Sequence, residues 1–135
     1  MPRRLKQRMA EFTKLAAQMN NGLENRMTTP TGALSGGQRQ ALSFLIATLK
    51  RPDILLIDDH TAAFDPHTAR NLLHATNQRI TEDHLTALMI THHMEDALKY
   101  GNRLIVLKDG QIKADYNAAE KAQLTVDDLY AYFEM

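Results

Sequence analysis

Ile54-Leu55-Leu56-Ile57-Asp58-Asp59 sets four aliphatic residues in a row and closes them with two carboxylates. A run this short, apolar at both alternating positions, reads as a strand over Asp53 to Asp58, buried on both faces in a parallel sheet. Downstream, Asp65-Pro66 has the form of an N-cap followed by proline at the first helical position, opening a helix through about Ile80. Leu85 to Thr91 then reads as a second buried strand. Helix and strand alternate, which is an α/β layout, and ligands in such sheets sit beyond the carboxyl ends of the strands. Those ends are Asp58-Asp59 and Thr91-His92.

Working outward, the segment from Arg3 to Asn20 carries Leu5, Met9, Phe12, Ala16 and Met19 at steps of three and four, an amphipathic helix with Asn21-Gly22 as its stop. Thr28 to Gly32 reads as a loop. Ser35 is placed as the N-cap of a helix with Leu42, Leu45, Ile46 and Leu49 on one face, ended by Pro52. Beyond the second strand, Met94 to Tyr100 forms a short helix closed by Gly101. Arg103 to Asp115 forms a hairpin turning at Asp109-Gly110. Asn117 and Thr125 each cap a short terminal helix, the latter with a capping-box spacing to Asp128.

Composition bounds the function. In 135 residues, sixteen Lys+Arg balance sixteen Asp+Glu, so bulk neutralisation of nucleic-acid phosphates is excluded as the working principle. Charge is uneven, basic towards the start and mildly acidic towards the end. With 44% hydrophobic and 24% charged residues the chain is globular rather than disordered. No cysteine is present, so there is no disulfide, thiolate nucleophile or thiolate zinc site. The basic start lacks a following apolar stretch, and no run approaches the ~20 residues of a membrane span. Repeats and linker-like tracts are absent, and a single soluble domain is expected.

Three clusters carry candidate chemistry. Leu34-Ser35-Gly36-Gly37-Gln38 puts a hydroxyl, two glycines and an amide at a helix start, where backbone N–H groups and the helix dipole favour an anion. Taken alone it reads first as an N-capped helix with a flexible entry. At Asp58-Asp59, one acid suits a water-bridged Mg²⁺ and its neighbour suits an attacking water, or else caps a turn. Thr91-His92-His93 can offer an imidazole to a phosphoryl oxygen. His60, His92, His93 and the acid pair lack the His-x-x-x-His spacing of a metal hydrolase. Asp65 is read as a cap, His67, His74 and His84 as solvated residues, and Met9, Met19 and Met27 as core or interface.

In order along the chain, Leu34-Ser35-Gly36-Gly37-Gln38-Arg39-Gln40, Ile54 to Asp59, Ala62-Ala63-Phe64-Asp65-Pro66 and Ile90-Thr91-His92 resemble the signature motif, Walker B strand, D-loop and H-switch of ABC-transporter ATPases. Arg103 to Ile112 resembles that domain's closing hairpin. His60 and Asp96 to Gly101 resemble an import-type subgroup, often assigned to aromatic amino acids. DNA-repair ATPases share the signature and Walker B features, but carry heptad arms that this sequence lacks. No Gly-x-x-x-x-Gly-Lys-Ser/Thr occurs; the nearest string, Gly32 to Gly37 followed by Gln38-Arg39, lacks the lysine and hydroxyl. A Q-loop is absent as well.

The resemblance implies a partial P-loop NTPase domain: residues 1–50 as the end of a helical subdomain with the signature helix, and 51–135 as the C-terminal part of the catalytic core. It implies ATP and Mg²⁺ as cofactors. Ser35, Gly36, Gly37 and Gln38 would meet the γ-phosphate held by a partner's Walker A loop, Asp58 would hold Mg²⁺ through water, and His92 would touch the γ-phosphate. Asp65 would cross the dimer seam, and Asp59 stands where the family has its catalytic Glu. The partners implied are a membrane permease and a second ATP-binding subunit joined head to tail, with no nucleic acid and no membrane insertion. The implied place is cytoplasmic, at the inner face of the cell membrane. Little or no activity is expected of the lone chain, and the alternative is a non-catalytic module that lends its signature to a partner's Walker A site.

Overall fold

The computed structural model describes residues 2–59 and 64–134. Two compact units divide the chain, Met1–Met89 and Ile90–Met135.

In the first unit, α1 (Arg3–Ala17) leads through a left-handed Gly22 into a 3₁₀ turn at Leu23–Arg26. The loop expected at Thr28 to Gly32 partly winds into a second 3₁₀ turn, Thr31–Ala33. Next come α2 (Gly36–Thr48), β1 (Leu55–Asp58), α3 (Pro66–Glu82) and β2 (Ala87–Ile90). β1 and β2 pair in parallel through the α3 crossover, with the Leu55 N–H donating to the Thr86 carbonyl at 2.8 Å. The expected α/β class is the observed one. Its core joins Ala16, Met19 and Leu23 to Ala41, Phe44 and Leu45 of α2, Leu55 and Ile57 of β1, and Leu72 and Ala75 of α3.

Polar ties fix these elements. Arg79 of α3 donates to the Thr48 hydroxyl at 2.9 Å and carbonyl at 3.0 Å, occupying an orphan carbonyl at the end of α2. Arg51 spans the Asp83 and His84 carbonyls, so the chain leaving α2 is held to the end of α3.

Two expectations of burial are corrected. Leu55 and Ile57 point into the core, but Leu56 on the opposite face of β1 is 69% exposed, and Ile54 just before the strand is exposed too. β2 likewise exposes Leu88 and Ile90. A strand is buried on both faces only where both faces are covered; among the described residues, helices cover one. On α2 the inward stripe is Gly37, Ala41, Phe44, Leu45 and Thr48, while Ile46 and Leu49 face out. The small residues Gly37 and Ala41 admit a close approach on their own side, which rotates the helix away from the larger aliphatics.

The second unit opens with α4 (Met94–Lys99), closed by a left-handed Gly101. The hairpin β3 (Leu104–Lys108) and β4 (Gln111–Tyr116) follows. It turns at Asp109 and Gly110, whose φ values of 53° and 73° match the right-handed twist of the strands. Its register runs from Leu104↔Tyr116 to Lys108↔Gln111 with an irregularity at Val106/Leu107. Arg103 grips Asp115 in a bidentate pair at 2.9 and 2.6 Å. Capping boxes start both α5 (Ala118–Lys121) and α6 (Val126–Tyr130). The buried Lys121 ammonium donates to the Tyr100 and Gly101 carbonyls, and burial pulls its pKa below the usual amine value.

Candidate functional site

The serine-glycine turn is a worked-out helix start. Ser35 Oγ accepts the Gln38 N–H at 3.1 Å, and Gln38 Oε1 accepts the Ser35 N–H at 3.1 Å, a reciprocal capping box. The Gln38 amide also donates through Nε2 to the Asn21 carbonyl at 3.1 Å, while Asn21 Nδ2 donates to the Gly37 carbonyl at 3.1 Å. Both ends of the Gln38 side chain are thus engaged in holding the turn. Ser35 stays exposed at the positive end of a 13-residue helix, its hydroxyl proton not used by the box.

The glycines have a steric reason. A Cβ on Gly36 would come within 3.0 Å of the Phe64 ring, and one on Gly37 within 2.9 Å of Thr68 Cγ2. Phe64 precedes Asp65, and Thr68 lies in the first turn of α3, so the turn before α2 packs directly on the turn before α3. Asp65 caps α3 through both oxygens, accepting the Thr68 N–H at 2.9 Å and the Thr68 hydroxyl at 2.7 Å. The Thr68 N–H holds the Asp65 carboxyl below its ordinary value, and the hydroxyl adds to the effect.

Asp58 ends β1 exposed, with Asp59 beside it at φ 44°, a left-handed conformation that Asp adopts more readily than most residues. Four consecutive residues of β1, Leu55 to Asp58, line a 210 Å³ cleft against Gln40, Ser43, Phe44 and Ala47 of α2. His92 belongs to the second unit, exposed between β2 and α4, in a turn where Thr91 Oγ1 accepts the His93 N–H at 3.1 Å. His67, His74 and His84 are exposed as expected; Met19 is buried, Met27 half-buried and Met9 exposed. His60, Ala62 and Ala63 lie outside the described residues.

The first unit therefore brings Ser35, Gly36, Gly37, Gln38 and Asp65 to one packed junction, with Asp58 and Asp59 at the end of its strand. Sequence reasoning missed Asn21, read only as a helix stop, and Thr68, whose position three after Asp65 is the spacing of a cap and its N–H donor. These residues fit an ATP phosphate and its ion as one part of a site: an exposed hydroxyl at a helix N-terminus, and one exposed carboxylate. Mg²⁺ is ordinarily held by one or two carboxylates plus substrate phosphates. Among the described residues no cluster of three or more metal-ligating side chains occurs.

Helices on a parallel β-α-β pair, with signature-like and acid-tipped elements in this order, define part of a P-loop NTPase core. The ABC transporter family model matches residues 4–62. The tyrosine transport ATP-binding protein of Clostridioides difficile is 45% identical over 101 residues, 75% of this chain and 40% of that protein. The phosphonates import ATP-binding protein PhnC of Lactobacillus johnsonii is 33% identical over 108 residues, 80% of this chain and 42% of that one. Among solved structures, the dimeric bacterial ABC transporter cassette MJ0796 superposes with a TM-score of 0.65 at 30% identity, over 87% of this chain and 49% of that one. Together these matches support a partial cassette of the ABC-transporter ATPases. It spans half or less of the length of these relatives.

Proposed function

We propose that this chain contributes the signature, Walker B and switch elements of an ATP site that couples nucleotide binding and hydrolysis to solute import. The observation that carries the reading is the junction at which Gly36 and Gly37 pack on Phe64 and Thr68. It joins the signature turn to the D-loop cap while leaving Ser35 and the N-terminus of α2 exposed to an anion. In this reading Ser35 and the backbone at Gly36, Gly37 and Gln38 meet the γ-phosphate, whose Walker A cradle comes from another copy of the ATPase fold. Asp58 holds Mg²⁺ through water, Asp65 lies at the seam with that partner, and His92 reaches the γ-phosphate. Asp59 orients the attacking water. Bound Mg²⁺-ATP supplies the phosphoryl group and neutralises its developing charge, so the chain's own part is positioning and electrostatics.

The partners are a membrane permease and a second ATP-binding subunit, and the chain works peripherally at the inner face of the membrane. Among the described residues no helix is long and apolar enough to cross a membrane. The printed name of one relative, the phosphonates import ATP-binding protein PhnC, supports the import reading.

A second reading, a non-catalytic module that lends Ser35 to Gln38 to a partner's Walker A site, rests on the exposure of Ser35 at the start of α2. Mg-ATP titrated into the chain alone, and then into its mixture with an intact homologous subunit, separates the outcomes. Both readings predict weak or no binding alone and a gain in the mixture; ATP turnover that depends on Asp59 selects the first. Tight binding by the lone chain rejects the second, and no gain in the mixture rejects both.

A further inference from the structure

Thr68 faces two ways. Its hydroxyl and N–H hold both oxygens of Asp65, at 2.7 and 2.9 Å. Its methyl occupies the space that a Cβ on Gly37 would need, 2.9 Å from that position. A threonine side chain has few χ1 choices, and here the hydroxyl bond to Asp65 fixes which one. The methyl therefore cannot swing aside without breaking the hydroxyl bond to Asp65. Gly37 is buried, its carbonyl is tied to Asn21 and the next residue closes the Ser35 capping box, so the turn has no slack to retreat.

We propose that Thr68 is a positioning residue that locks the Ser35–Gln38 turn to the Asp65 cap, its methyl seated on Gly37 and its hydroxyl on Asp65. A displacement of the Asp65 turn is thereby transmitted to the start of α2, and the reverse. What the lock serves rests on the nucleotide-site reading above, but the lock itself is a property of the chain.

Two amides report on it: the Gln38 N–H, bonded to Ser35 Oγ, and the N–H at position 68, bonded to Asp65 Oδ1. Hydrogen exchange at each, followed by NMR on the full chain, reads the local opening of each turn. Thr68→Ser keeps the hydroxyl and removes the methyl, so exchange accelerates at Gln38 and stays unchanged at position 68. Thr68→Val keeps a methyl and removes the hydroxyl, and the pattern reverses. Gly37→Ala accelerates both by about tenfold, and Thr68→Ser placed on top of it returns Gln38 to within about threefold of wild type, a coupling that a double-mutant cycle isolates. A threonine that only filled space would leave the amide at position 68 indifferent to loss of its hydroxyl. If Gly37→Ala leaves both amides unchanged, or if both Thr68 variants move the two amides together, the lock is wrong. Where Gly37→Ala prevents folding, the crossed pattern of the two single variants still decides. Mg-ATP binding by the wild-type chain mixed with an intact homologous subunit is measured separately. An intact exchange pattern without that binding leaves the lock standing and removes the nucleotide reading.

Discussion

At the residue scale, the proposed role of Asp59 as the residue that orients the attacking water makes a rate prediction. Asp59 stands where the family carries Glu, one methylene longer, and a misplacement of ~1 Å in a reacting group can cost ~10²-fold in rate. Its φ of 44° adds a second constraint, because a longer side chain is less at ease in the left-handed region. Asp59→Glu in a chimera that restores a Walker A half is therefore expected to raise turnover about tenfold or more, at a stability loss of ~1 kcal/mol. An unchanged turnover, in a chimera whose melt shows it folded, would count against the assignment of Asp59. Asp65 gives a pH prediction. Its carboxyl titrates lower in the fold than in the unfolded chain, so its contribution is present above the unfolded pKa of about 4 and fades as pH falls through the folded value. Asp65→Ala should lower the urea midpoint at neutral pH, and the gap to wild type should narrow as pH falls below the unfolded value. A gap independent of pH would show that the charge of the cap contributes nothing.

At the element scale, the caps and turns were legible because their signals are local. Ser35, Asp65, Asn117 and Thr125 each cap a helix, and Asp109-Gly110 turns the hairpin, as their residue types require. Burial was less legible. The aliphatic run from Ile54 to Ile57 predicts a strand covered on both faces, a condition that depends on what lies opposite and not on the strand itself. The phase of α2 was also less legible, because its inward side sets the small residues Gly37 and Ala41 beside Phe44 and Leu45 and turns Ile46 and Leu49 out. Among the described residues β1 pairs only with β2, and Leu56 and Leu88 remain exposed. Unpaired edges beside apolar faces invite pairing with another chain. The wild-type chain should accordingly self-associate with rising concentration in sedimentation velocity. Leu56→Lys with Leu88→Lys should shift it towards monomer while changing stability by no more than ~0.5 kcal/mol per site. A monomer at every concentration for the wild type would refute this.

At the scale of the whole molecule, the candidate site was partly legible. The order of the motifs marked its residues, yet the contacts that hold them, Thr68 on Gly37 and Asn21 around Gln38, lie between segments distant in sequence and leave no periodic signal. The central proposal is that the Ser35 turn and the acid-tipped strand meet a triphosphate cradled by another ATPase half. The most direct test is NMR of the isotope-labelled chain mixed with an unlabelled intact homologous subunit, with Mn²⁺-ATP in place of Mg²⁺-ATP. Paramagnetic broadening should concentrate on the amides of Ser35 to Gln38, Asp58 and Asp59 and disappear when nucleotide is omitted. Broadening confined to other surfaces, or none while the partner demonstrably holds Mn²⁺-ATP, would contradict the account.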